Sequence, residues 1–142
     1  MSKPLEVINP YVNSLVATVA GAEEAGVRAA IGRATAVAAE MAAMTAQRRA
    51  AILTKSVAII ETQAEAIART MAQESGKPIK YARGEVSRAV ETFTFAADAA
   101  RSLHGETIPM DAAKGGAGKI GYYIRVPVGV IGDLAIYGRP PS

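Results

Sequence analysis

Apolar residues recur at intervals of three and four positions along three long stretches of the chain. This spacing places them on one face of an amphipathic helix, so we predict helices over residues 22–44, about 45–75 and about 79–103. The three apolar stripes consist of Val27, Ile31, Ala34, Ala38 and Met41; of Leu53, Val57, Ile60, Ala64, Ile67 and Met71; and of Ala82, Val86, Ala89, Phe93, Ala96, Ala100 and Leu103. The pattern predicts a helix-dominated structure.

Local signals mark where these helices begin and end. Thr45 is a candidate N-cap, because a threonine hydroxyl accepts a hydrogen bond from a backbone N–H of the first turn. Gly76 followed by Pro78 is a strong stop signal, since glycine adopts the left-handed cap conformation and proline cannot continue a helix. The second helix is therefore expected to end at this turn.

Short β-prone runs flank the helical part of the chain. Residues 5–9 and 15–19 are separated by the turn-forming residues 10–14, which predicts an N-terminal hairpin. Beyond the helices, residues 120–126 favour a strand. Residues 128–131 form an uninterrupted apolar run, which is typical of a strand covered on both faces in a parallel sheet. The fold class is thus mixed α/β.

The composition favours a helical core of modest depth. Of the 142 residues 50% are apolar, many of them alanine, and only 5% are aromatic. The net charge is +3 and opposite charges are interspersed, which favours a solvated surface over a nucleic-acid interface. No run approaches the roughly 20 apolar residues that span a bilayer, and the first residues lack the apolar core of a signal peptide. We expect a soluble cytoplasmic protein.

Few residues offer candidate chemistry. The chain has no cysteine, which excludes disulfides, thiolate metal sites and thiol nucleophiles within it. The single histidine, His104, lies at a predicted helix end, where a capping or packing role is favoured over metal binding. Glu61 and Glu65 are neighbours on one helix face. Glu85 and Glu91 also share a helix, and alternating charge on exposed faces explains these carboxylates better than acid–base catalysis. No metal site is predicted.

The segment 116–121 has the letters of a glycine-rich dinucleotide motif, Gly-Ala-Gly-Lys-Ile-Gly. That motif binds a pyrophosphate only between a strand and the N-terminus of a helix, whereas here a small-residue loop, 111–118, precedes it and a strand follows. A phosphate-binding P-loop is also rejected, because Ala113 and Ile120 stand where a glycine and a hydroxyl residue belong. The segment is predicted to be a mobile turn.

Three motifs occur in a fixed order after the second helix. The sequence reads Glu-Ser-Gly-Lys-Pro at 74–78, His-Gly-Glu-Thr-Ile-Pro at 104–109 and Arg-Val-Pro-Val-Gly-Val-Ile-Gly at 125–132. Their order and spacing closely resemble the N-terminal part of the NAD(P)-dependent aldehyde dehydrogenase superfamily. The resemblance extends over about residues 5–132. It implies an incomplete part of that fold, with an N-terminal β-hairpin, three long amphipathic helices and C-terminal strands.

The resemblance also implies a division of the chain. Residues 1–110 would form the hairpin and three-helix part of the cofactor-binding domain, 111–119 a glycine-rich loop and 120–126 a strand of the oligomerisation arm. Residues 127–142 would form the first returning strand of the nucleotide-binding sheet and a divergent tail. Lys77 would meet the last carbonyls of the preceding helix. Because the arm strand pairs between subunits in family members, we expect self-association or association with full-length subunits.

The family's site falls at the end of the chain. The positions that line the cofactor are occupied here by Leu134, Ala135, Ile136 and Tyr137, assigned by family position only and expected to be vestigial. Gly138 stands where the family has an asparagine that holds the oxyanion, so this donor is missing. The chain ends before the family's nucleophilic cysteine and general-base glutamate. The complete enzyme uses NAD or NADP, and we expect neither to bind tightly here.

These features predict a truncated or partial aldehyde dehydrogenase. The family reaction is the oxidation of an aldehyde to a carboxylic acid with NAD(P), but the isolated chain is expected to be catalytically incompetent. The alternative is a non-enzymatic helical interaction or oligomerisation module derived from the same scaffold, because uncovered apolar helix faces drive association. We expect no nucleic-acid or membrane partner.

Overall fold

Four helices and two pairs of short strands make up residues 3–133, the part of the chain that the computed structural model describes. The elements are, in chain order, β1 (Leu5–Ile8), β2 (Leu15–Val19), α1 (Glu24–Ala43), α2 (Ala46–Thr62), α3 (Ala64–Ser75), α4 (Ile79–Ser102), β3 (Glu106–Ile108) and β4 (Gly121–Tyr123). A 3-10 turn, Met110–Ala112, lies between β3 and β4. The predicted helix-dominated, mixed α/β class is confirmed.

The N-terminal hairpin forms as predicted. Strands β1 and β2 pair antiparallel, with Leu5 opposite Val19 and an irregularity between Val7 and Ile8. The turn is stabilised by Asn9, whose Oδ1 accepts hydrogen bonds from the backbone N–H groups of the residues two and three positions further along, at 2.8 and 3.1 Å. Two backbone hydrogen bonds also close the turn, from the N–H of Asn9 to the carbonyl of Ser14 at 2.9 Å and from the N–H of Asn13 to the carbonyl of Asn9 at 2.8 Å.

The second predicted helix is two helices in the structure. It is interrupted at Gln63 (φ −108°, ψ 7°), whose N–H lies 3.2 Å from the carbonyl oxygens of both Ile59 and Ile60. The hydroxyl of Thr62 also donates to the Ile59 carbonyl, at 2.8 Å. The prediction of one continuous helix here, and so of three helices in all, was wrong. Ile60 and Ala64 are four residues apart, which is also the spacing on one face of an unbroken helix. The apolar spacing continues across the break and conceals it.

The core lies where α2 and α3 pack against α4. Its buried cluster is Ala68, Ala82 and Val86, surrounded by partly buried Ile60, Ala64, Ile67, Met71, Ala72 and Ile79. Among the described residues the other buried apolar side chains are Ala50 and Ala97. Since alanine buries little area, the stabilisation per residue is small. The predicted shallow helical core is confirmed.

Both predicted helix caps are present. The hydroxyl of Thr45 accepts a hydrogen bond from the N–H of Arg48 at 3.2 Å, at the start of α2. Gly76 has φ 67° and ends α3 in the left-handed conformation, with its N–H donating to the Ala72 carbonyl at 2.9 Å. The hairpin turn packs against this cap, because a Cβ added at Gly76 would lie 3.0 Å from Cγ of Pro10.

The C-terminal strands are shorter than predicted. Strand β4 pairs antiparallel with β3 and covers Gly121–Tyr123, within the predicted range 120–126. Residues 128–131 form no strand, which corrects the prediction for this run. A strand inside a parallel sheet forms hydrogen bonds to a strand at each edge, and the described residues contain no strand beside this segment. Within residues 3–133, no helix is long and apolar enough to cross a membrane.

Candidate functional site

The segment that leads toward the family's cofactor position is exposed. Leu134, Ala135, Ile136 and Tyr137, the positions assigned to the cofactor site, lie outside the described residues. The residues just before them are described, and their apolar side chains are mostly in solvent: Val126 is 73% exposed, Val128 84% and Ile131 75%. An exposed apolar run of this kind marks a surface that another element normally covers.

An apolar groove lies between α1 and this C-terminal segment. Its volume is about 550 Å³, and it is lined on one side by α1 and on the other by the chain after β4. The lining residues from α1 are Ala34, Val37, Ala38, Met41 and Ala42. Those from the C-terminal segment are Val126, Pro127, Gly129, Val130 and Ile131. Three residues of the apolar stripe predicted on the first helix, Ala34, Ala38 and Met41, therefore line an open groove.

Two arginines, Arg49 and Arg125, also line the groove. Arg49 donates from Nη1 to the carbonyl of Met44, immediately after α1. Arg125 donates from Nε to the carbonyl of His104 at 3.1 Å, just after α4, and its guanidinium lies 5.9 Å from the ring centre of Tyr123. Both cations thus satisfy carbonyls at helix ends. Arg125 also attaches the C-terminal segment to the end of α4.

Two of the four carboxylates weighed for acid–base chemistry, Glu65 and Glu85, form ion pairs. Glu65 on α3 accepts hydrogen bonds from Arg83 on α4 at 2.8 and 2.9 Å and pairs with Arg69 at 2.9 Å. The hydrogen bond from Arg83, together with the charges of both arginines, lowers the pKa of Glu65 from 4.5 to about 2, despite partial desolvation. A carboxylate held ionised in this way is a structural group and a poor proton acceptor.

Lys77 does not take the role that the resemblance implies for it. Its Nζ lies 2.8 Å from Oε1 of Glu85, which is in the second turn of α4. Each of the two side chains is about one-third exposed. In the last turn of α3, the hydroxyl of Ser75 donates to the carbonyl of Met71 and the N–H of Gly76 donates to the carbonyl of Ala72. The hydrogen bond from Lys77 lowers the pKa of Glu85, opposed by desolvation. This pair connects the turn after α3 to α4.

The single histidine of the chain lies just after α4. His104 is exposed, and its Nδ1 lies 2.6 Å from the carbonyl of Ser102, which agrees with the predicted role at the end of the helix. No group of three or more metal-ligating side chains occurs among residues 3–133.

The glycine-rich loop does not have the geometry of a dinucleotide site. Gly115 and Gly118 have positive φ values of 85° and 76°, and the loop enters strand β4 with no helix after it. Gly116 is required for packing, because a Cβ there would overlap the Met110 carbonyl. Without a helix N-terminus there is no converging set of N–H groups for a pyrophosphate. This loop therefore does not fit the pyrophosphate of NAD or NADP, and the prediction that this segment is a turn is confirmed.

Comparison with known proteins identifies the fold. The model of the aldehyde dehydrogenase family matches residues 1–140. This chain belongs to the aldehyde dehydrogenase family. Aspartate-semialdehyde dehydrogenase 1 of Pseudomonas canavaninivorans is 36% identical over 136 residues, which are 96% of this chain and 29% of that protein. The chain therefore spans less than a third of this dehydrogenase.

Solved structures of aldehyde dehydrogenases superpose on the chain. Aldehyde dehydrogenase 21 from Physcomitrella patens, in complex with the reaction product succinate, matches with a TM-score of 0.78 and 44% identity over 84% of this chain and 25% of that chain. Glyceraldehyde-3-phosphate dehydrogenase GapN from Methanocaldococcus jannaschii, complexed with NADP, matches with a TM-score of 0.72 and 30% identity over 77% of this chain and 24% of that chain. The chain corresponds to an N-terminal portion of this dehydrogenase fold.

Sequence analysis did not identify the groove or its two arginines. The signals were present separately, as the apolar stripe at Ala34, Ala38 and Met41 and as the apolar run 128–131. That these two features lie against one another is a tertiary fact, since about ninety residues separate them along the chain. Arg49 and Arg125 carry no motif that distinguishes them from other surface arginines.

Proposed function

We propose that this chain is the N-terminal scaffold of an NAD(P)-dependent aldehyde dehydrogenase and that the chain alone does not oxidise aldehydes. The observation that carries the proposal is the family match over residues 1–140 in a chain that contains no cysteine. In the resemblance described above, a cysteine is the nucleophile of the family reaction. The scaffold would supply the hairpin, the helical layer of α2–α4 and the arm strand β4.

The cofactor and the aldehyde would be bound by the rest of the enzyme. Relatives in complex with NADP and with succinate support an NAD(P)-dependent oxidation of an aldehyde to a carboxylate as the reaction of the assembled protein. The described residues would hold the helical layer in place and carry the segment 127–133 toward the cofactor site. None of them would take part in hydride transfer.

A graft tests this proposal. This chain would replace the quarter of Physcomitrella patens aldehyde dehydrogenase 21 that it matches. We expect the graft to reduce NAD(P)⁺ with succinic semialdehyde, whose oxidation gives succinate, while the isolated chain shows no reduction. Activity of the isolated chain above a no-protein control would refute the claim of incompetence. An inactive or unfolded graft would refute the scaffold role.

A non-enzymatic interaction module is the second candidate function. It is favoured by the apolar side chains of α1, because Val27, Ile31, Val37 and Met41 are 48–55% exposed. We expect such a module to form one discrete oligomer in light scattering at micromolar concentration, through self-association or association with full-length subunits. A heterogeneous mixture of sizes would count against this function, as would an inert monomer.

The arm strand is the proposed route of assembly. In the described part of the chain β4 pairs on one edge with β3, and its other edge has no strand beside it. An open strand edge is a template for pairing with another chain.

We also place the protein in the cytoplasm, because a chain without cysteine gains no disulfide in an oxidising compartment. Recovery of the protein in a membrane or secreted fraction would refute that location.

A further inference from the structure

Met110 contacts the chain between β3 and β4 at two places. Its carbonyl oxygen accepts a hydrogen bond from the N–H of Ala113 at 3.2 Å and lies against Gly116, where an added Cβ would overlap it. Its side chain lies against Gly121, the first residue of β4, because a Cβ added there would be 2.5 Å from Sδ and 2.8 Å from Cγ of Met110. Met110 therefore ties the start of the loop to the residue at which β4 begins.

The strand pair that this contact supports is small. The three residues of β4 pair with the three residues of β3, and no further strand joins them in the described part of the chain. A two-stranded ribbon is marginally stable unless other groups pack on it. Met110 provides such packing at Gly121, which lies opposite Ile108 in the pair. The pairing of β4 is therefore sensitive to a change at the Met110 sulfur.

The thioether of Met110 is open to one chemical change. Met110 is partly exposed, so a small uncharged oxidant reaches the residue in the folded chain. Hydrogen peroxide transfers one oxygen atom to a methionine thioether: the O–O bond breaks, an S–O bond forms and water is released. The sulfur loses two electrons and the peroxide gains them. The product, a sulfoxide, is polar and chiral, whereas the thioether is apolar.

The contact at Gly121 has no space for the added oxygen. Because a single carbon added at Gly121 would already lie 2.5 Å from Sδ, an oxygen between Sδ and β4 would overlap the strand. A sulfoxide that turns its oxygen toward water instead draws the side chain away from the strand, since a polar group is disfavoured in an apolar contact. Either arrangement weakens the packing of Met110 on β4.

We propose that Met110 is a site of oxidation by peroxides and that its sulfoxide releases β4 from β3. The change is reversible, because methionine sulfoxide reductases return the sulfoxide to the thioether. β4 is also the strand proposed above for assembly, so the sulfoxide would lower self-association through that strand. Only this last consequence rests on the proposed function.

The test treats the free chain with hydrogen peroxide and follows amide hydrogen exchange by peptide mass spectrometry. We expect the peptide that contains Met110 to gain the mass of one oxygen atom. We expect the amides of β4 to exchange at least several-fold faster in the oxidised chain, while exchange in α2 and α4 stays unchanged. Treatment with methionine sulfoxide reductases A and B together, one for each epimer, should restore the slow exchange.

Two substitutions serve as controls. Met110→Leu keeps an apolar side chain of similar volume but cannot form a sulfoxide, so its β4 amides should not respond to peroxide. Met41→Leu removes a methionine that is 54% exposed on α1 and leaves Met110 in place, so its β4 amides should respond as in the unmodified chain. If Met110→Leu already frees β4 before treatment, the reversal by the reductases in the unmodified chain decides in its place.

A chain oxidised at Met110 with unchanged exchange in β4 would overturn the release of the strand. Peroxide that oxidises Met41 and leaves Met110 untouched would overturn the site, as would a response of β4 that persists in Met110→Leu. Faster exchange in β4 with unchanged self-association in light scattering would support the oxidation site and overturn only assembly through the arm strand.

Discussion

Replacement of Gly76 by alanine tests the cap that joins α3 to α4 and the hairpin that rests on it. Gly76 has φ 67°, a backbone conformation in which an L-residue with a Cβ is strained by roughly 1–2 kcal/mol. The added Cβ would lie 3.0 Å from Cγ of Pro10 and 3.4 Å from Cβ of Tyr11, so the hairpin turn must also shift. We expect Gly76→Ala to lower the free energy of unfolding by about 2 kcal/mol.

Gly84→Ala is the matched control, since it adds the same methyl group in the middle of α4. A Cβ at Gly84 meets no atom within 4 Å. Its backbone is helical, so alanine should raise the free energy of unfolding by roughly 0.5–1 kcal/mol. The two substitutions are therefore expected to change the free energy of unfolding in opposite directions.

Urea denaturation followed by far-ultraviolet circular dichroism measures both free energies. For a chain of this size, about 1 kcal/mol corresponds to a shift of about 4 °C in the thermal midpoint, which provides a second readout. If Gly76→Ala were neutral or stabilising while Gly84→Ala behaved as expected, the left-handed cap and its contact with the hairpin would be refuted.

Substitutions at three further positions are checked by the same denaturation experiment. Val86→Ala should cost about 2 kcal/mol, because Val86 is 4% exposed in the core; a loss near zero would contradict its burial. Thr45→Ala should lower the free energy of unfolding by about 1 kcal/mol, whereas Thr45→Asn should leave it almost unchanged. A Thr45→Ala variant as stable as the unmodified chain would show that the cap is absent. The pKa of Glu65 falls from 4.5 to about 2 in the folded chain. The contribution of this carboxylate to the free energy of unfolding is therefore complete above pH 4.5 and disappears as the pH falls toward 2. Glu65→Gln should flatten the pH dependence of stability in that window, and an unchanged slope would contradict the ion pairs.

Features fixed by neighbouring residues were predictable from the sequence. The cap at Thr45 and the stop at Gly76 each depend on one side chain and the backbone within a few positions of it. The hairpin turn depends in the same way on Asn9, whose acceptor lies within three residues of its donors. Local chemistry of this kind acts before any tertiary contact forms.

Features that depend on distant partners were missed or predicted incompletely. The break at Gln63 leaves the apolar spacing intact, so periodicity does not reveal it. Lys77 was assigned to helix carbonyls, yet its partner is Glu85, eight residues further along the chain in α4. Residues 128–131 have the composition of a covered strand, but a strand forms only where another strand accepts its hydrogen bonds.

The sequence by itself determined the helical periodicity, the caps, the absence of cysteine and the motifs that place the chain in its family. Only the tertiary structure decided that the stripe of α1 faces a groove and that Arg49 and Arg125 lie beside it. The physical reason is that an apolar pattern specifies burial without naming the surface that provides it. That surface is set by how the remaining elements fold around α1 and the segment after β4.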